Sequence, residues 1–380
     1  MNRKQLLILV GLVALVGGLA IVTSNRNKTS WESAEKPVSG TILKDFPLND
    51  VTEILIKDKE ASVTLVKKDE RWTVKERNHY PANFAEISGF LQKVWDLKPV
   101  QQPTVGESQL GRLDLLDPSK GDKSGTLVEF KGAGGKALGA LILGKKHMRE
   151  GNAQFGGGSF PDGRYLMIPG KLDSIALVSE SFNDIEPKAA DWLAKEFFKV
   201  EKLKAVSVKT EGKEAWDLAR ETEGGEWKLA GLKAEEKLEP SATGAFNFLL
   251  SSASFNDVVT GVPELTNAVK ATLDTFDGFK YELTLTPKEG AEDYFMKLAV
   301  SANLAKERTP GKDEKPEDKE KLDKEFKDQL GKLEEKLKQE KQFEGHQYLI
   351  SKGTVDALLK ERKDFIAKPE EKPDAAKQGS

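Results

Sequence analysis

Residues 51–74 read VTEILIKDKEASVTLVKKDERWTV. Val51, Ile54 and Ile56, then Val63 and Leu65, then Trp72 and Val74 alternate with polar residues in three short runs separated by charged turns. A period of two puts every second side chain on one face, so the stretch predicts an antiparallel meander with one face buried. Directly after it the period changes. Phe84, Ile87, Phe90, Leu91, Val94 and Trp95 fall at three- and four-residue spacings, which predicts a helix with one apolar face.

The same order returns downstream, and internal similarity of this kind decides the architecture. Val206 and Val208 stand against Ile54 and Ile56, and Trp227 against Trp72. A helical stretch, Phe246 to Phe255, leads to Val258 and Val259 as the first led to Leu97 and Val100. Thr126, Val128 and Phe130 are matched with Tyr281, Leu283 and Leu285, and Leu141 and Leu143 with Leu298 and Val300. Tyr165, Leu166, Gly170 and Asp173 are matched with Tyr348, Leu349, Gly353 and Asp356. The expected class is therefore α+β: two tandem sheet-plus-helix repeats over residues 31–182 and 183–368.

The second repeat carries a charged insertion at residues 310–342, nearly all Lys, Glu or Asp except for Leu322, Phe326, Leu330, Leu333 and Leu337. That spacing is a narrow apolar stripe on a long helix. It reads either as a solvated helix laid on its own domain or as a contact helix for another protein. Residues 369–380 are rich in Pro, Lys and Glu and are expected to be disordered.

At the amino end, Arg3 and Lys4 precede an uncharged run containing Leu6, Leu7, Ile8, Leu9, Val10, Leu12, Val13, Leu15, Val16, Leu19, Ile21 and Val22. As a helix the run from Leu6 to Val22 would be ~25 Å long, near the lower limit for crossing a hydrocarbon core. Gly18 and Ala20 offer a small-x-small pattern for a signal peptidase, whereas Arg26 and Lys28 resemble an interfacial stop. Residues 1–30 are thus expected to be an N-terminal transmembrane helix serving as signal anchor. The charge bias puts the amino terminus inside and the bulk of the chain outside a bacterial cytoplasmic membrane, on the periplasmic side.

Composition narrows the chemistry. The chain of 380 residues has 59 basic and 62 acidic side chains intermixed, so it lacks the concentrated basic face that nucleic acid requires. It has no cysteine, which removes disulfides, thiolate metal sites and thiol nucleophiles. The three histidines, His79, His147 and His346, show no metal-ligand spacing. Gly156, Gly157 and Gly158 lack the lysine and hydroxyl of a phosphate loop, and there is no Gly-x-Ser-x-Gly elbow. Acidic pairs such as Glu235 with Glu236 and Asp114 with Asp117 are numerous in so charged a chain, and nothing marks one as a general acid. Trp72, Trp95, Trp192, Trp216 and Trp227 fall in core phase and are read as packing residues. No catalytic, cofactor or metal site is expected.

Glu70-Arg71-Trp72-Thr73-Val74, Tyr80-Pro81-Ala82-Asn83, Leu97-Lys98-Pro99-Val100 and Ala190-Asp191-Trp192-Leu193 resemble the domain of unknown function family 4340, from about Val51 to Phe365. The resemblance implies a single amino-terminal membrane helix and, for some relatives, an auxiliary part in ABC transport systems linked to gliding motility. The ATPase would then reside on another chain. The expected function is a non-enzymatic, membrane-anchored envelope accessory whose partner is a membrane protein. The alternative is an extracytoplasmic ligand- or glycan-binding module using an interdomain cleft.

Overall fold

The computed structural model describes residues 40–150, 158–261, 268–311 and 314–367. Two compact units divide the chain. The first runs to Glu76 and resumes over Phe84–Trp192; the second combines Arg77–Asn83 with everything from Leu193 onward.

The opening stretch folds as β1 (Glu53–Lys57), β2 (Ser62–Lys68) and β3 (Arg71–Val74), each antiparallel to the next. Ile54 faces Leu65, and Leu65 faces Val74. All three are buried, so alternation in the sequence becomes one continuous row of the core. The short strand β4 (Tyr80–Pro81) lies in the segment that belongs to the second unit. Helix α1 (Phe84–Trp95) then buries Ile87, Phe90, Leu91 and Val94. The Phe90 ring meets Phe130, Phe182 and Trp192 at centroid distances of 5.9, 5.9 and 6.3 Å. The unit continues through β5 (Pro99–Gln101), β6 (Thr126–Lys131), β7 (Ala137–Glu150), β8 (Ser159–Met167) and β9 (Ala176–Val178). Its strand order is β3-β2-β1-β6-β7-β8-β9-β5, antiparallel throughout.

The second unit builds β10 (Leu203–Thr210), β11 (Trp216–Ala219), β12 (Lys228–Leu229), a single turn α2 (Pro240–Thr243), β13 (Asp257–Val259), β14 (Val269–Thr275), β15 (Phe279–Pro287) and β16 (Asp293–Ala302). Helix α3 (Lys319–Glu340), β17 (Gln347–Ser351) and the turn α4 (Lys352–Val355) follow. Its strand order is β12-β11-β10-β14-β15-β16-β17-β13. Position for position this is the first unit's order, including the fourth strand of each unit returning to pair with the last.

The α+β expectation is overturned: the molecule is mostly two antiparallel sheets with few helices. The repeat of helix α1 fails for a physical reason. The run Phe246 to Phe255 is preceded by the turn α2 and opens inside a 3₁₀ turn, Gly244–Asn247, and Leu250 takes a left-handed φ of 56°. Ser251, Ser252 and Ser254 are weak helix formers. The Asn247 carboxamide oxygen is occupied by Trp227 Nε1 (3.1 Å) and Arg220 (3.4 Å). Phe246, Leu249, Leu250 and Phe255 are buried without a helix.

The expected transmembrane helix and the expected disordered tail, 369–380, both lie outside the described residues. Among the described residues no helix is long and apolar enough to cross a membrane. The matching of the copies is also corrected. Register makes β6 the counterpart of β14, β7 of β15, β8 of β16 and β9 of β17. Tyr165 and Leu166 therefore correspond to a stretch of β16, one strand earlier than Tyr348 and Leu349. The extra sequence of the second copy replaces the link 168–175 by residues 303–346.

Candidate functional site

The second unit holds a cleft of about 900 Å³ whose lining includes Tyr80, Pro81, Phe197, Lys199, Lys336 and Glu340. Its floor is aromatic. Tyr80 sits edge-on to His346 (5.0 Å), Phe255 (5.8 Å) and Tyr348 (6.1 Å). Phe197 packs on Tyr348 at 4.6 Å, Phe255 at 5.0 Å and Phe343 at 5.3 Å. Edge-to-face rings add attraction beyond the area they bury, so this floor is preformed. The segment Arg77–Asn83 is held in the unit by Arg77, whose Nε and Nη2 reach the two carboxylate oxygens of Asp257 at 2.7 and 2.8 Å. It is held also by the Ala194 amide, which donates to the Pro81 carbonyl at 2.9 Å.

One wall is polar. Glu340, at the end of α3, is buried. Its carboxylate accepts from the Tyr281 hydroxyl at 2.8 Å and from the Lys199 amide at 2.9 Å. Lys336, one turn earlier, donates to the Lys199 carbonyl at 3.0 Å and to Glu201 at 2.6 Å. Burial raises the Glu340 carboxyl above the ordinary range, with the Lys199 amide and Tyr281 hydroxyl pulling the other way. Burial and the neighbouring Glu340 raise the Tyr281 phenol. Burial pushes Tyr80 up to about 12, with Tyr348 opposing and Glu196 adding to it, and burial lowers His346.

The sequence-read residues are distributed as follows. Leu322, Phe326, Leu330, Leu333 and Leu337 are all half-buried on α3, which packs against β16. Trp72, Trp192, Trp216 and Trp227 are buried, as packing residues should be, but Trp95 is 56% exposed at the last position of α1. His147 Nδ1 lies 2.6 Å from Asp162 Oδ1 across β7 and β8. Glu236 accepts from Arg362 at 2.9 Å, and Asp117 caps a 3₁₀ turn by accepting from the Ser119 amide. Arg362 holds Glu236, and the Ser119 hydroxyl together with the Ser119 amide holds Asp117, below the usual carboxylate range. No group of three or more His, Asp or Glu able to hold a metal occurs among the described residues.

Glu340 escaped sequence reasoning although a signal existed. It follows Leu337 by three residues and so occupies the next position of the apolar stripe, where an acid is out of place unless buried and bonded. A family model described as Domain of unknown function (DUF4340) matches residues 72–289, more than half of the chain. No curated protein and no solved structure matches.

Proposed function

The chain belongs to the DUF4340 family, and on that premise we propose that it is a non-enzymatic accessory of a bacterial membrane complex such as an ABC transport system, working at the extracytoplasmic face of the cytoplasmic membrane. One observation supports this reading above others. Two units share a strand order position for position, yet each carries an element the other lacks: a longer β7–β8 hairpin in the first, helix α3 in the second. In a duplicated scaffold the shared strands answer to packing, while unshared surface elements are free to serve partners. The charge arrangement around the apolar run from Leu6 to Val22 supports the location.

Capture of the full chain from native membranes tests the reading. Permease or ATPase subunits of one transport system should be enriched in every preparation; repeated recovery of none would overturn it.

A second reading, an extracytoplasmic ligand- or glycan-binding module, is favoured by the cleft inside the second unit, with its aromatic floor and charged rim. A thermal-shift screen of envelope sugars and peptides should then raise the melting temperature, and a Phe197→Ser variant should lose the shift. No stabilisation by any of them sinks this reading.

A further inference from the structure

Four of the five described tryptophans are buried, and the fifth, Trp95, is 56% exposed at the carboxyl end of α1. Its backbone is held on both sides. Val94 before it and Leu97 two positions on are buried. The Asp96 amide donates to the Gln92 carbonyl at 3.1 Å, the Leu97 amide to the Val94 carbonyl at 3.4 Å, and the Ile42 amide to the Leu97 carbonyl at 2.8 Å. The chain turns inward directly after the ring and leaves the indole outside. On a held backbone only the two side-chain torsions of a tryptophan remain to be ordered by a ligand, a low entropic cost for a large flat face.

The ring lines an open concavity of about 760 Å³ together with Gln92, Lys93, Asp96, Lys98, Ser179 and Glu180, all residues of the first unit. Ser179 and Glu180 follow β9, whose Val178 pairs with Pro99, so the sheet sets them against the turn that leaves α1. The charged side chains of this lining balance, two lysines against two acids, and are joined as Lys93–Glu180 at 3.6 Å and Lys98–Asp96 at 2.9 Å. Their side chains are between 41% and 67% exposed, where an ion pair is weak and its members exchange readily with other hydrogen-bonding groups. The Gln92 carboxamide and the Ser179 hydroxyl make no hydrogen bond among the described residues. A net-charged ligand would meet as much repulsion as attraction here, and a wholly apolar one would leave the polar rim unsatisfied. A pyranose matches both features, with C–H groups on a flat face for the indole and neutral hydroxyls around its edge for the rim.

We propose that the groove at Trp95 is a carbohydrate site, in which a neutral pyranose stacks on the indole and shares its hydroxyls among Gln92, Asp96, Ser179 and Glu180. It is separate from the cleft of the second unit and stands whether or not that cleft takes a ligand.

The full chain is titrated with neutral oligosaccharides of glucose, mannose and N-acetylglucosamine, with affinity read by calorimetry and contact with the ring by acrylamide quenching of tryptophan emission. At least one of these sugars should bind saturably and shield the emission from acrylamide. W95A should lose the calorimetric binding, and Q92A with E180A should weaken it about tenfold, while circular dichroism confirms that these exposed substitutions leave the fold intact. F197S, which empties the cleft of the second unit, should bind the sugar as the unaltered chain does. The proposal is overturned by the absence of saturable binding to every sugar, by undiminished binding in W95A, or by glucuronate binding as tightly as the neutral sugars. Binding lost in F197S and kept in W95A overturns it in favour of the cleft.

Discussion

The two units solve one topological problem with different side chains, and the differences show which positions the scaffold dictates. Where the core row runs, apolar residues recur: Ile54, Leu65 and Phe130 in the first unit stand where Val206, Leu218 and Leu273 stand in the second. At other strand positions the chemistry differs between the units. Gly144 follows Leu143 on β7 in a space too tight for a Cβ, whereas its counterpart Thr286 carries a buried hydroxyl with no hydrogen-bond partner. Arg164 is buried in the first unit and donates to three carbonyls, those of Gly144 (2.8 Å), Phe182 (3.0 Å) and Leu143 (3.4 Å). Arg220, equally buried in the second, donates to the Leu203 carbonyl at 2.8 Å and lies 4.7 Å above the Trp227 ring.

Paired substitutions turn that comparison into numbers. The largest loss should come from emptying either core. Phe90→Ala and Phe246→Ala, each removing a buried ring among three aromatic neighbours, should cost about 3–5 kcal/mol in denaturant unfolding. A markedly smaller cost in one unit would show that the shared strand order does not imply equal packing. Arg164→Met should come next, at about 2–3 kcal/mol, because it strands three buried carbonyls, while Arg220→Met should cost about half as much. Equal costs would mean that the Trp227 face holds Arg220 as firmly as hydrogen bonds hold Arg164.

Gly144→Ala should destabilise by about 1–3 kcal/mol through the clash with the Leu113 carbonyl oxygen. Thr286→Val, which replaces an unpartnered hydroxyl by a methyl, should be neutral or raise the melting temperature. The Glu340 wall gives the second unit a pH signature. A carboxyl raised by burial favours the folded state below the ordinary glutamate range, and that contribution is lost as pH rises through the raised value. Glu340→Gln should flatten this decline toward neutral pH in a melting series, and an unchanged slope would remove Glu340 as its source. The smallest effect belongs to Trp95→Ala, within about 0.5 kcal/mol, because an exposed side chain has little to lose.

Much of the first unit could be read from its residues, since a period of two in β1 and β2 has one economical meaning. The later strand matching slipped because β14, VKATLDT, was overlooked. It alternates correctly, but with Ala271 and Thr275 among its buried positions the apolar signal is weak. Skipping one strand moved every later equivalence by one and set Tyr165 against Tyr348. Trp95 misled for the opposite reason: its spacing is that of the core, but it is the last residue of α1 and is exposed. The cleft was illegible, because Tyr80, Phe197 and Glu340 come from distant segments and each has an ordinary local context.

The placement of the fourth strand in each unit bears on how the chain can be made. Pro99 finds its partner only at Val178, and Asp257 only at Leu349. During synthesis an early strand must therefore wait, unpaired, until the final strand of its unit has emerged. Closing so long a loop late is slow. In the second half the wait is longer, because the charged helix α3 must also be made before β17 can close the pair.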